Sequence, residues 1–225
     1  MIEWWCTALE RPWSWAWIPY PGVWLATLLP IAFYVRSLRN HSEPVDRRKL
    51  AQFIGGMFVF WIASDWPLGA LGAGYLASAH MTQFLLYTLG AAPLLLLGTP
   101  EWMARRVVSK LRIYRASVWL AAGFVLWLPV ASPIPEGRVQ SVWTKMIYLF
   151  VTTAVVAVIP ASFLTFATTP IYAIYELAPR IGSITAREDQ QFAGIIMKLA
   201  TIPVIWATIG VMWFRWSAHE ARLTV

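Results

Sequence analysis

His80 and Met81 stand side by side at the mouth of a long apolar run, ASAHMTQFLLYTLGAAPLLLLGTP at 77–100, in a chain with only three histidines. Imidazole and thioether both suit Cu(I). On a helix, adjacent side chains point about 100° apart, so the two act together only where a helix begins and its first turn is loose. The positions that share the His80 face are Leu76, Ala77, Gln83 and Phe84, and Gln83 is the polar one among them. Asp65 ends the preceding apolar segment. A carboxylate beside an imidazole fixes its tautomer and raises its basicity, as it does behind metal ligands. His80 would equally serve in a structural hydrogen bond, to Asp65 or to a neighbouring backbone group, and both readings stay open at this point.

The remaining costly groups are few. Lys198 falls inside the last apolar segment, roughly two to three turns beyond Asp189. It is expected to snorkel to the membrane surface or to pair with Glu176. Asp189-Gln190-Gln191 opens that segment, and an acidic residue suits a helix N-terminus without any catalysis. Met57 reads as packing, and His41 and His219 as solvated flanks. The lone Cys6 excludes an intramolecular disulfide, a Cys-x-x-Cys pair and a multi-thiolate zinc site. The chain carries no P-loop, no dinucleotide fingerprint, no His-Glu-x-x-His and no Gly-x-Ser-x-Gly elbow. Bis-histidine haem ligation would need a second intramembrane histidine. Catalysis by this chain is not expected.

These residues have to be positioned by apolar helices. Of 225 residues, 59% are hydrophobic and 13% charged, with a mean hydropathy of +0.58; a soluble domain is about half apolar and about a quarter charged. An all-α, polytopic transmembrane helix bundle follows, as one domain over 1–225. A bilayer core needs about 20 mainly apolar residues per helix. Six spans are predicted, at 18–36, 51–68, 77–98, 116–132, 142–166 and 191–214, with kinks at the prolines at 30, 93, 160 and 203. The opening residues MIEWWCTALERPW lack the pattern of a cleaved signal peptide. The many tryptophans, as at 13, 15, 17 and 24, read as an aromatic belt.

Net charge is +7. Its distribution points to membrane topology and anionic headgroups rather than to nucleic acid. With six spans, twelve basic residues (Arg36, Arg39, Arg47, Arg48, Lys49, Arg105, Arg106, Lys110, Arg112, Arg115, Arg180 and Arg187) share one side, and Arg11, Arg138, Lys145, Arg215 and Arg222 the other. The positive-inside rule then places both termini outside.

Five stretches together resemble the CtaG family, membrane proteins needed to assemble cytochrome c oxidase and particularly its copper centres. They are SAHMTQFLLYTLGAAPLLLLGTP, WLPVASPIP at 127–135, IYLFVTTAVVAVIPASFLTFATTPIYAIYELAPR at 147–180, DQQFAGIIMK at 189–198 and the N-terminal SWAWIPYPGVWLATLL. The resemblance implies a seven-span bundle in a prokaryotic cytoplasmic (inner) membrane and a partner that is a larger oxidase or related electron-transfer complex. Copper is the metal it implies, and His80 is what this chain keeps of the family's histidines; read from the residues alone, His80 and Met81 are the candidate metal ligands and Asp65, Gln83, Asp189, Gln190 and Lys198 the supporting or structural polar groups. The chain departs from the family where a second histidine usually follows His80 by four residues; Phe84 stands there. Further histidines usual before the Trp-Pro-Val element are missing, and Met197-Lys198 replaces Met-Trp. By the charge count the DQQ loop lies opposite His80; by the family's pattern it shares His80's side. Two functions remain: an oxidase assembly factor assisting the copper centre, or a metal-free accessory subunit docked on a respiratory or photosynthetic complex. Membrane lipids are partners in either case, and nucleic acid in neither.

Overall fold

A computed structural model of the chain describes residues 3–6, 11–41, 46–111 and 122–223. Among these the structure is helical, with no strand. The helices are α1 (Pro21–Arg39), α2 (Arg47–Ser64), α3 (Leu68–Gly74), α4 (Ala77–Leu85), α5 (Ala92–Gly98), α6 (Glu101–Leu111), α7 (Ala122–Ala131), α8 (Val142–Thr152), α9 (Ile159–Phe166), α10 (Ala173–Leu177) and α11 (Ala186–Leu223). A π-helical turn at Leu86–Ala91 joins α4 to α5, and another at Thr153–Val158 joins α8 to α9.

Four helical runs are long and apolar enough to cross a bilayer: Pro21–Arg39, Ala77–Gly98, Val142–Phe166 and Ala186–Leu223. The pair α2 and α3, bent by 51°, makes a fifth if the two count as one span. Six or seven spans are therefore not reached among the described residues. The shortfall lies at the predicted 116–132 span. Its described part is α7, ten residues or about 15 Å of helix, half of a hydrocarbon core; its earlier part lies outside the described residues.

Hydrogen bonds fix which helix ends share an end of the bundle. At the His80 end, Trp4 O accepts from Gly22 N at 3.0 Å, the Tyr75 hydroxyl donates to Arg11 O at 3.0 Å, and the backbone of α4 donates to Asp189. At the opposite, arginine-rich end, the Tyr34 hydroxyl donates to Gly98 O at 2.8 Å and Arg105 pairs with Glu136 at 2.8 Å. Trp143 packs edge-on against Trp213 and Trp216 there. The stretch from Glu101 to Glu136 starts and finishes at that same end, so it adds no net crossing. Of the two placements the sequence leaves open, the 176–190 loop takes the one at the His80 end; against the six-span count, the C-terminal end of α11 lies opposite the N-terminal segment. The 38 residues of α11 begin five residues before the predicted span and continue beyond it.

The prolines act in two ways. Pro30 and Pro203 sit inside the continuous helices α1 and α11. Pro93 and Pro160 each follow a π-turn, in which Ala92 N donates five residues back to Tyr87 O, and Ile159 N to Ala154 O. Continuing that pattern, Pro93 would have to donate to Thr88 O, and proline has no N–H. The indole of Trp127 takes that place, donating from Nε1 to Thr88 O at 2.7 Å. Trp127 is buried with Ala92, Leu96, Leu149 and Ile205, so α7 is held to the third span by a bond that the proline makes available. Elsewhere the helices meet over small residues: a Cβ on Gly194 would come within 2.7 Å of Ala161 O.

Replacing Trp127 by Phe keeps the ring but leaves the buried Thr88 carbonyl without its donor, at a cost of about 1–2 kcal/mol. A lowered melting temperature in mild detergent checks this, and an unchanged one would show that the bond contributes nothing.

Candidate functional site

Two of the buried polar side chains, Asp189 and Gln190, lie where α4 and α11 begin. Thr185 and Glu188 form a capping box at the start of α11. Thr185 N donates to Glu188 Oε2 at 2.9 Å, the Thr185 hydroxyl donates to the same oxygen at 2.8 Å, and Glu188 N donates to Thr185 Oγ1 at 3.2 Å. With that terminus capped by Thr185 and Glu188, Asp189 turns inward and is 4% exposed. Its carboxylate accepts from Ala77 N at 2.6 Å, from Ser78 N at 3.2 Å and closely from the Ser78 hydroxyl. Leu76, the cap residue of α4, has no side-chain acceptor to offer. Asp189 therefore caps α4 from a distant part of the chain. Its charge sits at the positive ends of two helices at once, where an anion is favoured.

Gln190 extends the lock. Its Oε1 accepts from Ile171 N at 2.6 Å, and its Nε2 donates to Leu164 O and Thr169 O, both at 3.4 Å. The end of α9 and the loop after it are thereby tied to α11. The Tyr175 hydroxyl donates to Gly72 O at 2.8 Å. Burial, with Asp189 nearby, pushes its phenol up to about 12, so it remains a neutral donor at physiological pH.

The residues singled out from the sequence fall into separate places. His80 is exposed at the rim, with its ring 6.2 Å from that of Tyr175 and its backbone against Gly72. Asp65 is not its partner. That carboxylate accepts from Trp24 Nε1 and from Trp66 N, both at 2.9 Å, because the bend into α3 turns the end of α2 toward the N-terminal aromatic segment. Met81 packs into the seam among Ala77, Tyr175, Ala193, Ala161 and Met197, its side chain leaving the helix about 100° around from that of His80. Gln83 donates to the Tyr87 hydroxyl at 3.2 Å. Lys198 lies over the Phe166 ring at 5.0 Å rather than against Glu176. Cys6 donates to Ser64 O at 3.2 Å, and burial, then the charge of Asp65, pushes its thiol up to about 12, so it stays a thiol at neutral pH.

Among the described residues no three His, Cys, Asp or Glu side chains come together to hold a metal ion, and a lone His80–Met81 pair is fewer ligands than a tight copper site needs. Asp189 and Gln190 read from the sequence as helix-start residues; the distant partners of both were not legible. The Thr185-x-x-Glu188 box was legible as a pattern and would have moved the start of α11. Tyr175, Ser78 and Trp24 carry no signal beyond their types.

An all-helical membrane-type bundle, closed at one end by a buried carboxylate and carrying an exposed histidine at that rim, is the class of protein these features define. The family model for the cytochrome c oxidase caa3 assembly factor matches residues 31–119 and 112–219, and the chain belongs to that family. No curated protein and no solved structure matches it.

Asp189→Ala removes a charged acceptor of three hydrogen bonds and is expected to cost about 3 kcal/mol. Asp189→Asn, which keeps one acceptor oxygen, costs less. Unfolding midpoints in detergent order the series wild type, Asn, Ala; an Ala variant as stable as wild type would show that α4 is held by other means.

Proposed function

We propose that this protein assists the assembly of a cytochrome c oxidase as a membrane-embedded docking factor that helps the copper-bearing part mature without carrying copper in a site of its own. The family match across 31–219 supports the oxidase assignment. The burial of Met81 in an apolar seam beside an exposed His80 supports docking over carriage: one rim imidazole is too few ligands for a tight Cu(I) site. Such a role asks for binding rather than turnover, and it belongs in a prokaryotic cytoplasmic membrane.

The distribution of basic residues between the two ends of the bundle supports an orientation without a span count. Among the described residues the arginine-rich end holds Arg36, Arg39, Arg47, Arg48, Lys49, Arg105, Arg106, Arg138, Lys145, Arg215 and Arg222, and the His80 end holds Arg11, Arg180 and Arg187. This bias supports an arginine end in the cytoplasm and a His80 end outside. The N-terminus is then outside and the C-terminus inside. Reporter fusions test this directly: a C-terminal green fluorescent protein is expected to fluoresce, and an alkaline phosphatase inserted near residue 182 to be active. The reverse pattern would invert the assignment.

The copper question is settled by anaerobic Cu(I) titration against a competing chelator, on the detergent-purified wild type beside His80→Ala. Neither is expected to retain copper, while loss of the protein in its host lowers the yield of copper-loaded oxidase. One copper bound by wild type and lost in His80→Ala would replace docking by carriage. Recovery with a membrane complex at fixed stoichiometry throughout its life would instead favour a permanent accessory subunit.

A further inference from the structure

Lys198 is a charged side chain inside a span. Among the described residues it enters no ion pair and no hydrogen bond; its ammonium lies 5.0 Å from the centroid of the Phe166 ring. A ring face attracts a cation but brings no opposite charge to it. The acids that precede Lys198 on α11 are engaged elsewhere, Glu188 with Thr185 and Asp189 with Ala77 and Ser78.

Depth separates Lys198 from a lysine that snorkels to headgroups. Asp189 caps α4, and the span that begins there, Ala77–Gly98, has 22 residues. That is about 33 Å of helix, against a hydrocarbon core of about 30 Å. The level of Asp189 therefore marks one boundary of the core. A Cβ on Gly194 would come within 2.9 Å of Thr165 N, so Phe166 is level with the turn of α11 at Gly194, about 8 Å inside that boundary. The ammonium beside its ring stays within the hydrocarbon, short of the lipid phosphates. An ionisable side chain at such depth is costly and calls for a partner.

The surface around it is exposed and apolar. On α11, Ile195 and Ile202 flank Lys198 along one side of the helix and Leu199 adjoins it; on α9, Phe163 and Phe166 share a face. All five are exposed, Leu199 by 70% and Phe166 by 77%. Further along, Phe150 meets Trp206 edge-on at 5.9 Å, so the exposed sides of α8, α9 and α11 run together as one strip beside the cation. Lipid chains cover the apolar part of this strip and leave the ammonium unanswered. A helix that carries a carboxylate at the same depth answers both.

We propose that this strip receives a transmembrane helix of a partner membrane protein, whose glutamate or aspartate pairs with Lys198 inside the bilayer. The proposal rests on the docking role above and gives that role a surface. The apolar strip supplies close contact, and the ammonium selects the partner and its depth, because a carboxylate elsewhere along the helix is left unpaired in lipid.

Full-length protein in phosphatidylcholine vesicles, with leucine–alanine transmembrane peptides as the probe, tests this. One peptide carries a single glutamate about 8 Å inside one end, the other a glutamine at that position. Energy transfer from a C-terminal green fluorescent protein to the labelled peptide reads association. Wild type is expected to bind the glutamate peptide about tenfold more tightly than the glutamine one, the scale of a strong polar link between membrane helices. Lys198→Arg is expected to keep that preference, Lys198→Met to bind the two alike, and Lys198→Glu to prefer a peptide with lysine there. An unchanged preference in Lys198→Met would overturn the proposal. So would loss of the wild-type preference on adding a minor fraction of phosphatidylglycerol, which would make the occupant a lipid phosphate. In the host, Lys198→Met is expected to lower the yield of copper-loaded oxidase as loss of the whole protein does. A yield lowered by loss of the protein but not by Lys198→Met would overturn this surface and leave docking standing. A yield lowered by neither would overturn docking, and the peptide preference alone would then decide the surface.

Discussion

One buried carboxylate organises this bundle. In a bilayer, helices gain little from apolar contact with one another, because lipid chains are as apolar as leucine. Polar links and close packing must then choose the register. Asp189 receives two backbone N–H groups and a hydroxyl from α4 while standing in the first turn of α11. Those N–H groups are among the ones that a helix start leaves unpaired, and Leu76 offers no cap of its own. Gln190, the next residue, carries the constraint to α9. Three helices therefore leave that end in a fixed relation, and Ala193, Gly194 and Ala161 are small enough to let them close along their length.

The long apolar segments were legible because a bilayer demands length and hydropathy and little else. Val142–Phe166 and Ala77–Gly98 coincide with the spans read from the sequence. What failed was the parity of crossings. Residues 116–132 are apolar enough to count as a span, yet the chain from Glu101 to Glu136 returns to the end it left. One miscounted crossing moved Arg180 and Arg187 to the wrong side, placed Asp189 opposite the helix it caps, and put both termini together. Charge counting is sensitive to parity in this way because each loop is assigned relative to the one before. The pairing of Asp65 with His80 failed for a different reason: adjacent helices need not face each other with the residues nearest in sequence, and Trp24 lay closer to the carboxylate.

The prolines show local chemistry directing tertiary contacts. Each π-turn widens the helix ahead of a proline, and the missing N–H leaves a carbonyl to be satisfied by something else. At Thr88 that something is Trp127, so a tryptophan that the sequence would assign to lipid or to bulk packing has a specific partner. At the arginine-rich end the ties are of another kind. Tyr34 stacks on Phe53 with centroids 3.9 Å apart and bonds Gly98 O, while the exposed Arg105–Glu101–Glu136 cluster adds little in water. The net charge of the chain thus resides where it meets headgroups, and the internal polar bonds lie where helices must be registered.

The departures from the family's pattern follow from the same arrangement. Phe84, where the resemblance to the family would place a second histidine, packs with Met81 against Ala157, Ala161 and Met197. A histidine there would face an apolar seam rather than His80's open rim, and burying it without a partner would be costly. The seam is closed by Asp189 and by small residues. His80 stands outside that lock, exposed, with the groups that fix its helix already satisfied by protein. A change at His80 therefore bears on what approaches the rim and leaves the lock beneath it intact.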